Sequence, residues 1–333
     1  MFEIDADIRK AKTLSSDFYT DERFFELSKE KIFARAWHFL GRSNKSESLE
    51  PQTLLPDFLD EPVLISRSEE NTRCLSNVCT HRGKILVEEA CTANLIRCGY
   101  HGRRFSLDGK FLSMPEFDGV ENFPSEADNL KQMPTAEWKG FLFGSISPFA
   151  SFSELVSPVE AFAYEKLELS TTRSYAVAAH WALYCENYLE GFHIPYVHRS
   201  LNEIVDYGTY TTETFRYSSV QTGFDDGGNV AGQYLFIFPN LMFNFYPWGI
   251  SVNVVRPVSP SKSVVEFLTY VDDESKIEKS AGADLNGVEL EDEAVVESVQ
   301  RGIRSRFYSH GRYSPTREQG THHFHRLIAE FMQ

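Results

Sequence analysis

Early in the chain, Phe24, Phe25, Leu27, Ile32, Phe33 and Trp37 recur at spacings that suit one amphipathic face, so residues 7 to 36 are expected to be helical. The pattern then changes. From about Trp37 to Pro148, short β-rich runs (Val63 to Ser66, Asn94 to Cys98, Phe141 to Ile146) alternate with Gly, Pro and Asp turns such as Asp108-Gly109. A small all-β unit is expected there. Residues 149 to 169 read as a linker and helix. After a helix expected around Leu183 to Phe192, the runs Tyr234 to Phe238, Leu241 to Tyr246, Ile250 to Val255 and Val264 to Val271 are rich in aromatic and branched residues. Their separators are Pro239-Asn240, Pro247-Trp248-Gly249 and Pro257 to Pro260, so antiparallel strands fit better than βαβ crossovers. Helix is expected again from about Gly287 to Arg306 and from Thr321 to Phe331.

Composition narrows the setting. The 333 residues, 42% hydrophobic and 24% charged, suit a globular protein of two or three packed units. No apolar run approaches the roughly 18 residues that span a bilayer. The opening MFEIDADIRK lacks an apolar signal region, so a cytoplasmic location is expected. A formal net charge of −15 argues against a nucleic-acid partner, whose phosphates would be repelled. The five cysteines (Cys74, Cys79, Cys91, Cys98, Cys185) are an odd number, which makes metal ligation a better question than disulfide pairing.

Two short loops carry the strongest chemical signal. Cys79-Thr80-His81-Arg82-Gly83 and Cys98-Gly99-Tyr100-His101-Gly102 each supply one thiolate and one imidazole and end in a glycine that permits a tight turn. Thiolates suit iron–sulfur chemistry, and two imidazoles can replace two thiolates on one iron. The paired loops resemble the Rieske [2Fe-2S] motif. That resemblance implies Cys79 and Cys98 on one iron, His81 and His101 on the other. A four-ligand zinc site is the alternative, although zinc fingers pair Cys with Cys and His with His. Lys84 and Tyr100 occupy the neighbourhood where high-potential Rieske proteins carry disulfide cysteines, so the soluble oxygenase or ferredoxin type is indicated. Cys74, Cys91 and Cys185 are expected to be small buried hydrophobes.

A second constellation lies in Glu186 to His198. Asn187, Glu190 and His193 recur every three residues, on one arc of a helix. Pro195 should interrupt that helix and let His198 swing back towards His193. Two histidines and a carboxylate make the facial triad of non-haem Fe(II) oxygenases. Within Val288 to Ile303, Val288, Asp292, Val295, Val299 and Ile303 share one stripe, which Asp292 interrupts, while Glu293 and Glu297 would be solvated. Glu289, Glu291 and Glu293 remain alternative ligands. Taken singly, His193 and His198 could be ordinary packed histidines, and Asp292 a partner for Arg301.

At this point the whole chain resembles the α-subunit of Rieske non-haem iron oxygenases. The resemblance implies an α+β fold in which an all-β Rieske domain (37–148) is inserted into a helix-grip, START-like catalytic domain (1–36 and 149–333) with an antiparallel sheet. It implies mononuclear Fe(II) held by His193, His198 and Asp292. Glu190 is then the acid linking cluster and iron between neighbouring subunits of a homotrimer, and Asn187 lies near the iron. A separate flavin or ferredoxin reductase would supply electrons, since no Gly-rich nucleotide fingerprint is present. Two departures stand out: Glu190 occupies a position usually Asp in aromatic-ring dioxygenases, and the chain is short for the family.

A linking Glu resembles the branch acting on quaternary ammonium compounds such as choline, betaines or carnitine. Phe236, Phe238, Phe243, Phe245, Tyr246 and Trp248 could cage a cation, although aromatic residues on strands more often form core. Aromatic acids remain open as substrates of a ring-hydroxylating dioxygenase, and a non-enzymatic electron carrier with a ligand-binding domain is a further alternative. Thr321-His322-His323-Phe324-His325 suggests another metal site, but no nearby Cys or Asp completes a tetrahedral set, so a solvated or capping role is expected.

Overall fold

The structure is a computed structural model, described for residues 2–43, 45–69, 71–156, 159, 162–198, 208–279 and 285–333. The chain divides into two compact units: Met1–Phe33 with Ala150–Gln333, and Ala34–Phe149.

The contiguous unit is built from short antiparallel strands in three sheets. In one sheet, Glu61–Arg67 lies between Leu49–Leu54 and Thr72–Ser76, with Gln132–Met133 at the edge. Alternation along Glu61–Arg67 sends Leu64 into one apolar cluster with Leu75, Ile96 and Phe105, and Val63 and Ile65 into another with Leu40 and Leu142. The two cluster-motif cysteines belong to the first of these. Cys74 and Cys185 are buried as expected, but Cys91 is exposed. Its backbone is fixed by paired hydrogen bonds to Leu49, which leaves the side chain facing out.

Within residues 7 to 36, expected to be helical, the structure has two helices, Ser16–Thr20 and Glu22–Lys31, followed by a 3-10 turn at Phe33–Arg35. Asp21 makes the break: its backbone is extended and its side chain accepts from the Arg23 amide, capping the second helix. Within residues 149 to 169, a 3-10 turn at Phe152–Glu154 is the only helical element among the described residues.

A seven-stranded antiparallel sheet follows, in the spatial order Glu168–Val177, Lys262–Val271, Gly249–Ser259, Leu241–Tyr246, Val230–Ile237, Ser218–Phe224, Thr211–Thr214. The four expected strands are present. Glu168–Val177, Thr211–Thr214 and Ser218–Phe224 are three more that the hydrophobic pattern does not predict, because their polar residues show no apolar alternation. Helix Trp181–Tyr188 packs on strands Gly249–Ser259 and Lys262–Val271 and on helix Leu285–Gly302.

That last helix presents a different face from the one its valines suggest. Glu289, Val296, Gln300 and Ile303 are buried, while Val299 is 44% exposed. The face is rotated by about one residue because the helix covers a partly polar interior rather than a purely apolar one. Glu293 is half-buried, its carboxyl raised by that burial, and Glu297 accepts from the Ala178 amide; neither is simply solvated.

Helix Gln319–Phe331 buries Phe324 and Phe331 against Phe236 and Phe238. Its histidines are neither solvated nor capping. His325 Nδ1 lies 2.6 Å from the Tyr313 hydroxyl and its Nε2 lies 3.1 Å from Glu186, which also accepts from Tyr19 at 2.7 Å. His322 Nε2 lies 2.8 Å from the Asp5 carbonyl. The segment ties the N-terminal residues to the rest of the unit.

Candidate functional site

The two cluster-motif loops share one backbone pattern. The Cys79 amide donates to the Lys84 carbonyl and the Gly83 amide to the Cys79 carbonyl; the Cys98 amide donates to Arg103 and the Gly102 amide to Cys98. Closing each turn requires φ of +73° at Gly83 and +75° at Gly102, a region that side chains with a Cβ rarely adopt. The amides of His81 and Arg82 point at the Cys79 sulfur, and those of Tyr100 and His101 at the Cys98 sulfur; burial still holds the Cys79 thiol above its ordinary range, whereas at Cys98 the amides outweigh burial and lower it. The His81 and His101 rings are 4.9 Å apart, and His101 Nδ1 is buried with no hydrogen-bond partner among the described residues.

These four side chains fit a two-iron group better than one zinc ion. Ligands of a single tetrahedral zinc stand about 3 to 4 Å from one another. Among the described residues, only His193, His198 and Asp292 bring three donor atoms within 4.8 Å of each other. The cluster-motif donors are spread more widely, and an orphaned imidazole nitrogen beside paired sulfurs is what a bridged cluster would satisfy.

Arg103 holds the second loop in a way that sequence reasoning misses. It is 2% exposed, packs over Phe111 at 4.8 Å and pairs with Asp128 at 2.6 Å. The Asp128 carbonyl also accepts from Thr80 in the first loop at 2.9 Å. Both loops are thereby fastened to one residue.

In the other unit, helix Trp181–Tyr188 carries Asn187 but stops before Glu190, so Asn187, Glu190 and His193 do not form the single helical arc expected. Pro195 also differs from expectation. It sits in the first turn of a new helix, Ile194–Val197, where its missing N–H costs nothing. His193 and His198 flank this one turn, and the turn brings their rings together.

His193 Nε2 and His198 Nε2 are 3.2 Å apart, and Asp292 Oδ1 lies 3.5 Å from the first and 3.0 Å from the second. Cis ligands held about 2.1 Å from a divalent ion stand about 3 Å apart, so the triangle fits a facial triad. The outer nitrogens are occupied: His193 Nδ1 lies 2.7 Å from Glu190 Oε1, and His198 Nδ1 lies 2.7 Å from Glu291 Oε2. Donation from those Nδ1–H groups leaves both Nε2 lone pairs facing the Asp292 carboxylate, and a cation resolves that convergence. Of the four acids left open on this helix, the structure brings Asp292 to the triangle. Glu291 meets the far nitrogen of His198, and Glu289 faces Tyr184.

The triad opens into a cavity of about 120 Å³. Tyr184, Tyr188, Tyr210, Tyr234, Tyr246 and Phe267 line it together with Asn187, Asn244 and Asn253. Strand register explains the sheet's share: Gln221 pairs with Tyr234 and Tyr234 with Asn244, giving one row across the same face. Of the six aromatic residues expected to form a cage, only Tyr246 reaches this cavity. Phe236 and Phe238 pack on Phe324, Phe243 stacks on Phe245, and Trp248 stacks on Tyr246.

Residues 37–124 match the family model for the Rieske [2Fe-2S] domain, and residues 206–333 match that for the ring hydroxylating alpha subunit (catalytic domain). The chloroplastic choline monooxygenase of Arabidopsis thaliana is 31% identical, over 96% of this chain and 83% of its own length. The chain belongs to the Rieske non-haem iron oxygenases. It is a terminal oxygenase component, an oxidoreductase of α+β fold that uses a Rieske [2Fe-2S] cluster and a mononuclear non-haem iron, and it works with a reductase, O2 and an organic substrate. The carnitine monooxygenase oxygenase subunit of Escherichia coli K12 is 27% identical over 98% of this oxygenase and 95% of its own length. A crystal structure of the quaternary ammonium Rieske monooxygenase CntA superposes with a TM-score of 0.82 at 26% identity, covering 98% of this chain and 97% of that one. Among the described residues, no helix of this oxygenase is long and apolar enough to cross a membrane.

Proposed function

We propose that this oxygenase hydroxylates a small quaternary ammonium compound. The observation that carries the reading is the His193–His198–Asp292 triangle opening into a cavity lined by five tyrosines, with no Lys or Arg among its described lining residues. Aromatic faces attract an onium group, and an anionic substrate would find no cationic side chain among the described lining residues. Similarity to choline and carnitine monooxygenases supports the same class.

In this reading residues 37–148 form the Rieske domain, with Cys79 and Cys98 on one iron and His81 and His101 on the other. Residues 1–36 and 149–333 form the catalytic domain, in which His193, His198 and Asp292 hold the mononuclear iron. When bound, the cluster supplies single electrons and the mononuclear iron supplies open coordination positions for O2. Glu190 and Glu291 fix the tautomer and orientation of the two histidines. The tyrosine rings seat the onium group and exclude water around it, and Asn187 offers an amide to the same space. A homotrimer, with His101 of one copy meeting Glu190 of the next, belongs to this proposal through the family resemblance. A cytoplasmic location is supported by five unpaired cysteines, which suit a reducing compartment.

The test is iron content together with substrate-dependent O2 uptake, driven by a surrogate reductase. About three irons per chain and uptake with an ammonium compound are expected. Two irons per chain, or uptake with aromatic acids alone, would overturn the reading.

A further inference from the structure

Among the described lining residues, Glu289 is the one acid that neither the triangle nor its supporting hydrogen bonds employ. It lies on helix Leu285–Gly302, three residues before Asp292, so both carboxylates project from the same side of the helix into the cavity. Only 3% of its surface is exposed. Its Oε2 accepts from the Tyr184 hydroxyl at 2.5 Å, while Oε1 is buried with no hydrogen-bond partner among the described residues. A sequestered carboxylate oxygen left bare is costly unless something else satisfies it.

Burial pushes the Glu289 carboxyl up to about 8. The cavity by itself thus disfavours the charge, and a cation arriving beside Oε1 restores it. Tyr184 keeps Oε2 turned away, which leaves Oε1 as the atom available to a ligand. The surrounding tyrosine rings can share a positive charge with it but cannot replace its negative one.

We infer that Glu289 is a specificity-determining residue, the counter-charge for the substrate's onium group, and that the cavity therefore selects ammonium compounds whose other arm is neutral, such as an amino alcohol. A zwitterion would bring its own carboxylate into a space already holding Glu289, where no described Lys or Arg would meet it. The inference rests on the ammonium reading above and sharpens it from a class to a charge pattern.

Calorimetric titration of the anaerobic holoenzyme tests it with three probes: choline, its neutral carbon isostere 3,3-dimethylbutan-1-ol, and carnitine. Choline should bind at least about tenfold more tightly than either of the others. Glu289→Gln keeps an acceptor for Tyr184 and should cut the choline-to-isostere preference by about tenfold while leaving the isostere's own affinity and the iron content unchanged. Carnitine binding as tightly as choline to the unaltered enzyme would overturn the inference and leave the ammonium reading standing, and this arm does not depend on how the variant folds. An unchanged preference in Glu289→Gln would also overturn it. Binding of no ammonium compound at all would remove both.

Discussion

Glu291 Oε2 lies 2.7 Å from Nδ1 of His198, the same separation that Glu190 Oε1 keeps from Nδ1 of His193. Each histidine of the triangle is thus held from behind by its own carboxylate. The two acids differ in setting, since the Glu291 side chain is 48% exposed and that of Glu190 is 15% exposed.

Their proposed roles, rather than their settings, separate the expected phenotypes. Glu291→Gln should weaken iron retention about 10- to 100-fold, because the ligand it orients loses its anchor. Iron content after dialysis against a graded chelator series measures this. Glu190→Gln should weaken iron retention by a similar factor, keep the cluster, and still lack turnover when iron is restored to normal amounts, because Glu190 is proposed to link the two centres. Full activity in Glu190→Gln would remove that residue from the mechanism.

Arg103 offers a test in the other unit. Its guanidinium is buried beside Asp128 and stacked on Phe111, and Asp128 also holds Thr80. Arg103→Met leaves Asp128 without its partner and should cost about 3 kcal/mol, within the range for breaking a buried pair. Arg103→Lys should recover little of this, since an ammonium cannot reproduce the planar stacking. Denaturant unfolding followed through the visible absorbance of the cluster reports the change. An unchanged midpoint in Arg103→Met would show that the pair contributes nothing.

Acid sensitivity should come from one buried and one half-buried histidine, His180 and His323. Burial lowers His180 from its ordinary 6.5 to about 3 and His323 to about 4. Below pH 6.5 the unfolded chain takes up protons that the folded chain refuses, so stability is complete above that value and is lost as pH falls towards 4. Each histidine contributes a slope of up to about 1.4 kcal/mol per pH unit. His180→Asn retains an acceptor for the Ala182 amide, which His180 Nδ1 now caps, and removes one proton site. Its stability measured at pH 7, 6 and 5 should fall less steeply than that of the unaltered chain; equal slopes would refute the assignment.

The parts of the site written in local spacing are legible in the amino-acid order alone. Cys79, His81 and Gly83 lie within five residues, and so do Cys98, His101 and Gly102, so each loop's chemistry is contained in its own turn. The strand runs from Leu241 onward are legible for the same reason: their burial follows directly from side-chain type. The lining of the cavity is not. Tyr184, Tyr210 and Tyr234 come from a helix, a loop and a strand, and only strand register and helix approach bring them together. Glu289 is hidden differently. Within the acidic run from Glu289 to Glu297 it resembles a solvated position, and the valines beside it point to the wrong face of the helix. Arg103 and Asp128 are 25 residues apart and give no joint signal along the chain.

The hydrogen bonds from Lys31 to the Gln333 carbonyl, from His322 to that of Asp5 and from Arg312 to those of Arg9 and Ala11 have a consequence for biosynthesis. Residues 34–149 emerge from the ribosome as an uninterrupted stretch and can condense at once. The N-terminal segment meets His180, Trp181 and Glu186 earlier, but these hydrogen bonds must wait until positions beyond 310 have been translated. Assembly of the unit that carries the His193–His198–Asp292 triangle is thus completed only once the helix at 319–331 has been made, and clipping that helix would take away part of what fastens the amino-terminal segment.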